Sequence, residues 1–150
     1  MFGIGNSKFV PGTVASFVTC LIYIILFYLK VNIFFLLTIN LVIFILSVFL
    51  IDFLKNFFST VDAREIVIDE FIGQSIPILS FYSFLEKENI SMFIVIVFVS
   101  FILFRIFDIL KPYPINLVDQ KIKNGFGVML DDVIAGIFTS ILTLIIFFNI

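Results

Sequence analysis

There is no histidine and no tryptophan in this 150-residue chain, and a single cysteine, Cys20. The missing histidines remove imidazole from every mechanism that could be written for it, whether as base or as metal ligand. Cys20 falls in the middle of an apolar run, so neither a disulfide framework nor a thiolate metal cluster is open to the chain. Charge is scarce too. Charged residues are 13% of the total, 9 basic against 11 acidic, and the net charge of −2 argues against nucleic acid as a partner.

What the chain has in excess is hydrophobicity, 62% of residues with a mean hydropathy of +1.27. This composition belongs to an integral membrane protein, and the length suits one domain, 1–150. Residues 9–29 and 31–51 are free of charge for 21 residues each, 133–150 for 18 and 90–104 for 15. About 20 helical residues cross the hydrocarbon core. The first three runs therefore suffice, and the fourth spans if Arg105 snorkels to the surface. A fifth run, 71–85, contains Pro77 and reaches spanning length only if 66–70 are included. The expected fold is an all-α polytopic bundle of about five membrane helices.

Pro11-Gly12-Thr13 opens the first helix, and residues 30–32 turn into the second. Residues 52–65 form a polar connection, and 86–89 separate the third helix from the fourth. Lys111-Pro112-Tyr113-Pro114 stops the fourth helix. Residues 115–127 are polar enough for a short amphipathic cytoplasmic segment and a turn at Asn124-Gly125 before the last helix. The opening MFGIGNSKFVPGT lacks a basic region, apolar core and cleavage site in succession, and reads as mature protein. With five spans, seven basic residues (Lys8, Lys55, Arg64, Arg105, Lys111, Lys121, Lys123) share one side against Lys30 and Lys87 on the other. The positive-inside rule makes the first side cytoplasmic.

Five acids then stand out: Asp69 and Glu70 in IVIDEFIG, Asp108 in FRIFDILKP, Asp131 and Asp132 in VMLDDVIAG. A carboxylate at membrane depth costs about 2.5–3.5 kcal/mol even on insertion scales. The expected topology moves all five to the cytoplasmic ends of helices, which lowers that cost. Arg105 and Lys111 leave three of the five charges unbalanced. IVIDEFIG and VMLDDVIAG also share a pattern, with Asp69–Gly73 and Asp132–Gly136 each on one helical face, where a glycine admits a close neighbour. A simpler reading treats the acids as helix N-terminal residues complementing the macrodipole; it accounts poorly for two adjacent pairs and a fifth acid on one face. Arg105 and Asp108, three apart, can form an intrahelical pair. With Lys111 they also set cations beside carboxylates, as a phosphate ester requires. The glycine-rich GIGNSKFVPGT could present amides to an anion, with Thr13 and Ser16 adding hydroxyls. It has no Walker A ending.

Several phosphoryl-transfer chemistries drop out. Leu26 stands where a cysteine phosphatase needs its arginine, no D-x-D pair serves an aspartyl-phosphate enzyme, and the CDP-alcohol phosphotransferase signature is missing. An all-oxygen site remains, suited to a hard cation such as Mg²⁺.

Taken together, G-x-G…V-P-G-T, IVIDEFIG, FRIFDILKPYPI and GFGVMLDDVIAG resemble the phosphatidylglycerophosphatase A family of bacterial inner membranes. They occur in the family's order over most of the chain. The resemblance implies a Mg²⁺-dependent hydrolase that converts phosphatidylglycerophosphate to phosphatidylglycerol and phosphate. On that reading Asp69, Glu70, Asp108, Asp131 and Asp132 are the candidate metal ligands, and Asp69, Glu70 and Asp132 the catalytic acids. Arg105, Lys111, Lys8, Thr13 and Ser16 are the candidate phosphate-binding residues. The rival is a non-enzymatic ion or proton carrier, which predicts acids distributed along a path through the membrane.

Overall fold

The charge-free runs fold as helices with boundaries close to those read from the sequence. The computed structural model describes residues 11–54, 67–82, 84–85 and 89–148. Six helices and no strands occur among them: α1 (Pro11–Tyr28), α2 (Ile33–Leu54), α3 (Ile68–Tyr82), α4 (Ile90–Leu110), α5 (Ile115–Lys121) and α6 (Gly125–Phe148). Four of these, α1, α2, α4 and α6, are long and apolar enough to cross a membrane.

α3 is the exception among the five expected spans. Its 15 residues rise roughly 22 Å, short of the ~30 Å hydrocarbon core. Its surroundings explain why length matters less here: ten of the 15 residues are buried, and α1, α2, α4 and α6 all pack against it. α3 is the axis of the bundle, with Pro77 carried inside the helix. α2 is the converse, with only Leu36, Ser47 and Ile51 buried; apolar on all sides, it presents most of its surface to lipid.

Local chemistry sets the helix starts. The Asn32 side chain accepts from the Phe34 amide (2.8 Å) and Asn89 from Met92 (3.3 Å), as N-caps do. At α6, Asp52 accepts from the Gly125 amide (2.8 Å) and Asn124 from Gly127 (2.9 Å), tying the end of α2 to the start of α6. Buried hydroxyls on α1 and α6 return to their own helix: Thr19 donates to the Ala15 carbonyl (2.9 Å), Thr139 to Ala135 (2.8 Å) and Thr143 to Thr139 (2.7 Å).

Contacts at the two ends fix the helix directions. Gly12 lies against Glu70 at one end of α1 and α3, and the Tyr82 hydroxyl reaches the Leu26 carbonyl (2.9 Å) at the other. α3 and α6 also run parallel, with Gly73 against Gly136 and Ser80 against Ser140. α4 runs opposite, since Arg105 meets Ser16 while Phe93 stacks on Phe27 (3.9 Å between centroids). The starts of α1, α3 and α6 and the ends of α2 and α4 therefore share one end of the bundle. All the acids among the described residues lie at that end, not along a path through the bundle.

Two expectations change. Arg105 does not snorkel outward: only 12% of its side chain is exposed, and it turns in toward Asp108 and Ser16. Nor do the acids sit on an open rim. Asp69, Asp131 and Asp132 are 8%, 5% and 3% exposed, so the burial cost persists and something must compensate it.

Candidate active site

The site begins with two parallel helices in unusually close contact. A Cβ added at Gly73 would stand 2.7 Å from the Asp132 carbonyl oxygen and 2.7 Å from the Phe104 ring; one at Gly136 would strike the Gly73 carbonyl. Glycine at both positions lets α3 and α6 touch through their backbones, one turn beyond the acids. The two motifs also share local geometry. Asp69 Oδ1 accepts from the Glu70 amide and Asp131 Oδ1 from the Asp132 amide, each at 3.0 Å. Asp69 and Glu70 occupy the first turn of α3, where the helix dipole favours them. Asp131 and Asp132 lie beyond the first turn of α6, so the dipole explains only one pair.

This juxtaposition brings one carboxylate oxygen each of Asp69, Glu70 and Asp132 within 4.8 Å of one another. α1 supports the cluster from the side. The Glu70 carboxylate lies directly over Gly12, where any Cβ would collide with it.

Two cations flank the cluster, each already engaged. Arg105 Nη1 meets Asp108 Oδ2 at 2.7 Å and donates to Ser16 Oγ at 3.4 Å, and Ser16 in turn donates to the Gly12 carbonyl (3.0 Å). Lys111 caps the C-terminus of α4 in the left-handed region (φ 42°), its backbone N–H donating to the Phe107 carbonyl. Its Nζ meets Asp131 at 2.6 Å and Asp119 of α5 at 2.9 Å. Partial burial works against the Lys111 charge, but hydrogen bonds and attraction from Asp131 and Asp119 outweigh it and raise its pKa above the ordinary lysine value.

Of the candidate residues, Asp69, Glu70 and Asp132 thus converge, while Asp108 and Asp131 stand beside them tied to cations. Thr13 lines a groove together with Arg105. Lys8, with the G-x-G of the N-terminal motif, lies outside the described residues. Asp119 and Gln74 were not anticipated. Asp119 joins Lys111 from α5, which follows the Pro112–Pro114 turn and packs against α6. Gln74 is fully buried one turn beyond Glu70, a lone amide in an apolar run with no spacing signal to mark it.

Several buried polar atoms here have no hydrogen-bond partner among the described residues: Glu70 Oε2, Asp132 Oδ2, Arg105 Nε and both amide atoms of Gln74. Orphaned carboxylate oxygens this deep are costly unless a positive group meets them. Three carboxylates within 4.8 Å fit a divalent cation. The donors are all oxygen, which matches a hard ion.

The sequence matches the phosphatidylglycerophosphatase A family over residues 1–147. The chain belongs to that family. Among its phosphatidylglycerophosphatase A relatives, the Haemophilus influenzae protein is 38% identical over 141 residues, covering 93% of this chain and 80% of the relative. The Escherichia coli protein is 30% identical over 142 residues, covering 93% and 75%. A Bacteroides thetaiotaomicron protein, provisionally named a phosphatidylinositol-3-phosphatase, is 33% identical over 144 residues, covering 94% and 86%. No solved structure matches the chain significantly. The family's name describes a phosphatase acting on a membrane lipid, which agrees with a carboxylate site at one end of a membrane bundle.

Proposed function

We propose that this protein hydrolyses the terminal phosphomonoester of phosphatidylglycerophosphate to phosphatidylglycerol and inorganic phosphate, using Mg²⁺, at the cytoplasmic face of a bacterial inner membrane. The observation that carries the reading is the convergence of Asp69, Glu70 and Asp132, with orphaned oxygens on Glu70 and Asp132, beside Arg105. Membership of the family supports the substrate.

Asp69, Glu70 and Asp132 would hold the cation, which when bound supplies Lewis-acid polarisation of phosphoryl oxygens and makes water a better nucleophile at neutral pH. Arg105, kept inward by Asp108 and Ser16, offers its unpartnered Nε–H to the phosphate charge. Lys111 holds Asp131 and so fixes the start of α6 on which Asp132 stands. A trio oxygen not engaged by the cation accepts the proton of the attacking water as its oxygen bonds to phosphorus. The bond from phosphorus to the glycerol oxygen breaks, and the same carboxyl group returns its proton to that oxygen. The cytoplasmic assignment rests on the basic residues: among those described, Arg105, Lys111, Lys121 and Lys123 share the site's end and Lys30 the other.

The test is phosphate release by purified protein from phosphatidylglycerophosphate, with phosphatidylinositol 3-phosphate as the competing substrate. Asp69→Asn and Asp132→Asn should each lower turnover by roughly two to three orders of magnitude while the helical content is retained. Near-normal turnover in both variants, or preference for the inositol lipid, would reject the assignment.

A further inference from the structure

The outer face of the bundle carries a groove whose wall includes Arg105 of the site. Beside α4, next to Thr13 of α1, an open hollow of about 490 Å³ is walled by Phe101, Ile102, Ile106, Ile109 and Leu110, with Arg105 and Thr13 in its lining. A second hollow, about 140 Å³, continues along the same seam between Leu21 and Ile24 of α1 and Ile94 and Phe98 of α4. Phe101 lines both, and its ring packs edge-on against Phe17 at 6.2 Å between centroids. The two hollows form one apolar track.

We propose that this α1/α4 seam seats an acyl tail of the lipid substrate, so that the phosphomonoester reaches the carboxylate trio laterally from the bilayer. The inference rests on the proposed lipid phosphatase function and names a subsite for it. Length is the first argument. From Arg105 to Ile94 is 11 residues of α4, a rise of roughly 16 Å, which is about half of a ~30 Å hydrocarbon core and so the depth of one leaflet. Charge is the second. The seam's lining includes a guanidinium and a hydroxyl, complementary to a phosphate head. Continuity is the third. Arg105 belongs both to the groove wall and to the hydrogen-bonded chain that reaches Ser16 and Gly12 beneath Glu70. A tail in the seam therefore places its head within the site without leaving the membrane.

Leu21→Trp fills the smaller hollow and Ile102→Trp the larger one without touching the acids, and Leu46→Trp on the exposed face of α2 is the control. Each variant is assayed in detergent with long-chain diacyl phosphatidylglycerophosphate and with its dihexanoyl analogue. Both seam variants should lose roughly tenfold in kcat/KM on the long-chain substrate, equivalent to about two buried methylenes, through KM. Dihexanoyl turnover should hold, and the control should match the parent on both. Unchanged long-chain kinetics in both seam variants would overturn the proposal. An equal loss on both substrates together with a dimer-to-monomer shift would also overturn it, assigning the seam to a second copy of the chain. A parent protein that hydrolyses neither substrate refutes the function instead. The seam is then tested by fluorescence, since each introduced tryptophan is the chain's only one. Trace brominated-acyl phosphatidylglycerol should quench position 102 more than position 46, and equal quenching would count against the seam.

Discussion

Lys111 is the residue on which the flank of the site depends. Asp131, with 7% of its side chain exposed, has Lys111 at 2.6 Å, and Lys111 also reaches Asp119. Lys111→Met leaves both carboxylates without that cation. Because 27% of the lysine side chain is exposed, the cost is below that of a fully buried pair, about 2 kcal/mol. Thermal unfolding in detergent should show the loss, and an unchanged midpoint would mean that the pair is only a surface contact. Asp131 was readable as special because a DD pair inside an apolar run is conspicuous. Its tie to Lys111, which Lys111 shares with Asp119, was not, since it depends on how the chain turns after α4. Arg105 makes the same point. Its spacing to Asp108 was visible, but inward aim depends on Ser16, 89 positions away.

At the scale of elements, the decisive contact is α3 against α6. Gly73→Leu must push the Asp132 carbonyl or the Phe104 ring, both 2.7 Å from the added Cβ, and overpacking of this kind costs about 1–3 kcal/mol. Separating the helices also moves Asp132 away from Asp69 and Glu70. The variant should keep its circular dichroism, melt earlier and lose phosphatase activity; full activity would show that the trio does not need the backbone contact. The four long helices were legible because uninterrupted apolar runs near 20 residues admit few alternatives. α3 was harder. Its acids and Pro77 look like interruptions when read as a lipid-facing span, and become consistent once other helices surround it.

For the whole molecule, the shared end of α1, α3 and α6 with α2 and α4 places one set of charges on one membrane face. Cysteine introduced at Lys121 in a Cys20→Ser background should react with an impermeant maleimide in inverted vesicles and not in intact spheroplasts, while one at Asn32 should do the opposite. The reverse pattern would place the site outside the cytoplasm. The directions of α1, α2, α3, α4 and α6 were implicit in the distribution of basic residues. Burial of the acids was not, because a count of charges says nothing about what covers them. That burial makes a cation central to the account, and the most direct measurement is phosphate release from phosphatidylglycerophosphate across a Mg²⁺ titration after EDTA treatment. The account predicts no activity without the metal, saturable recovery with it, and loss of that recovery in Asp132→Asn. Undiminished hydrolysis in EDTA would contradict it.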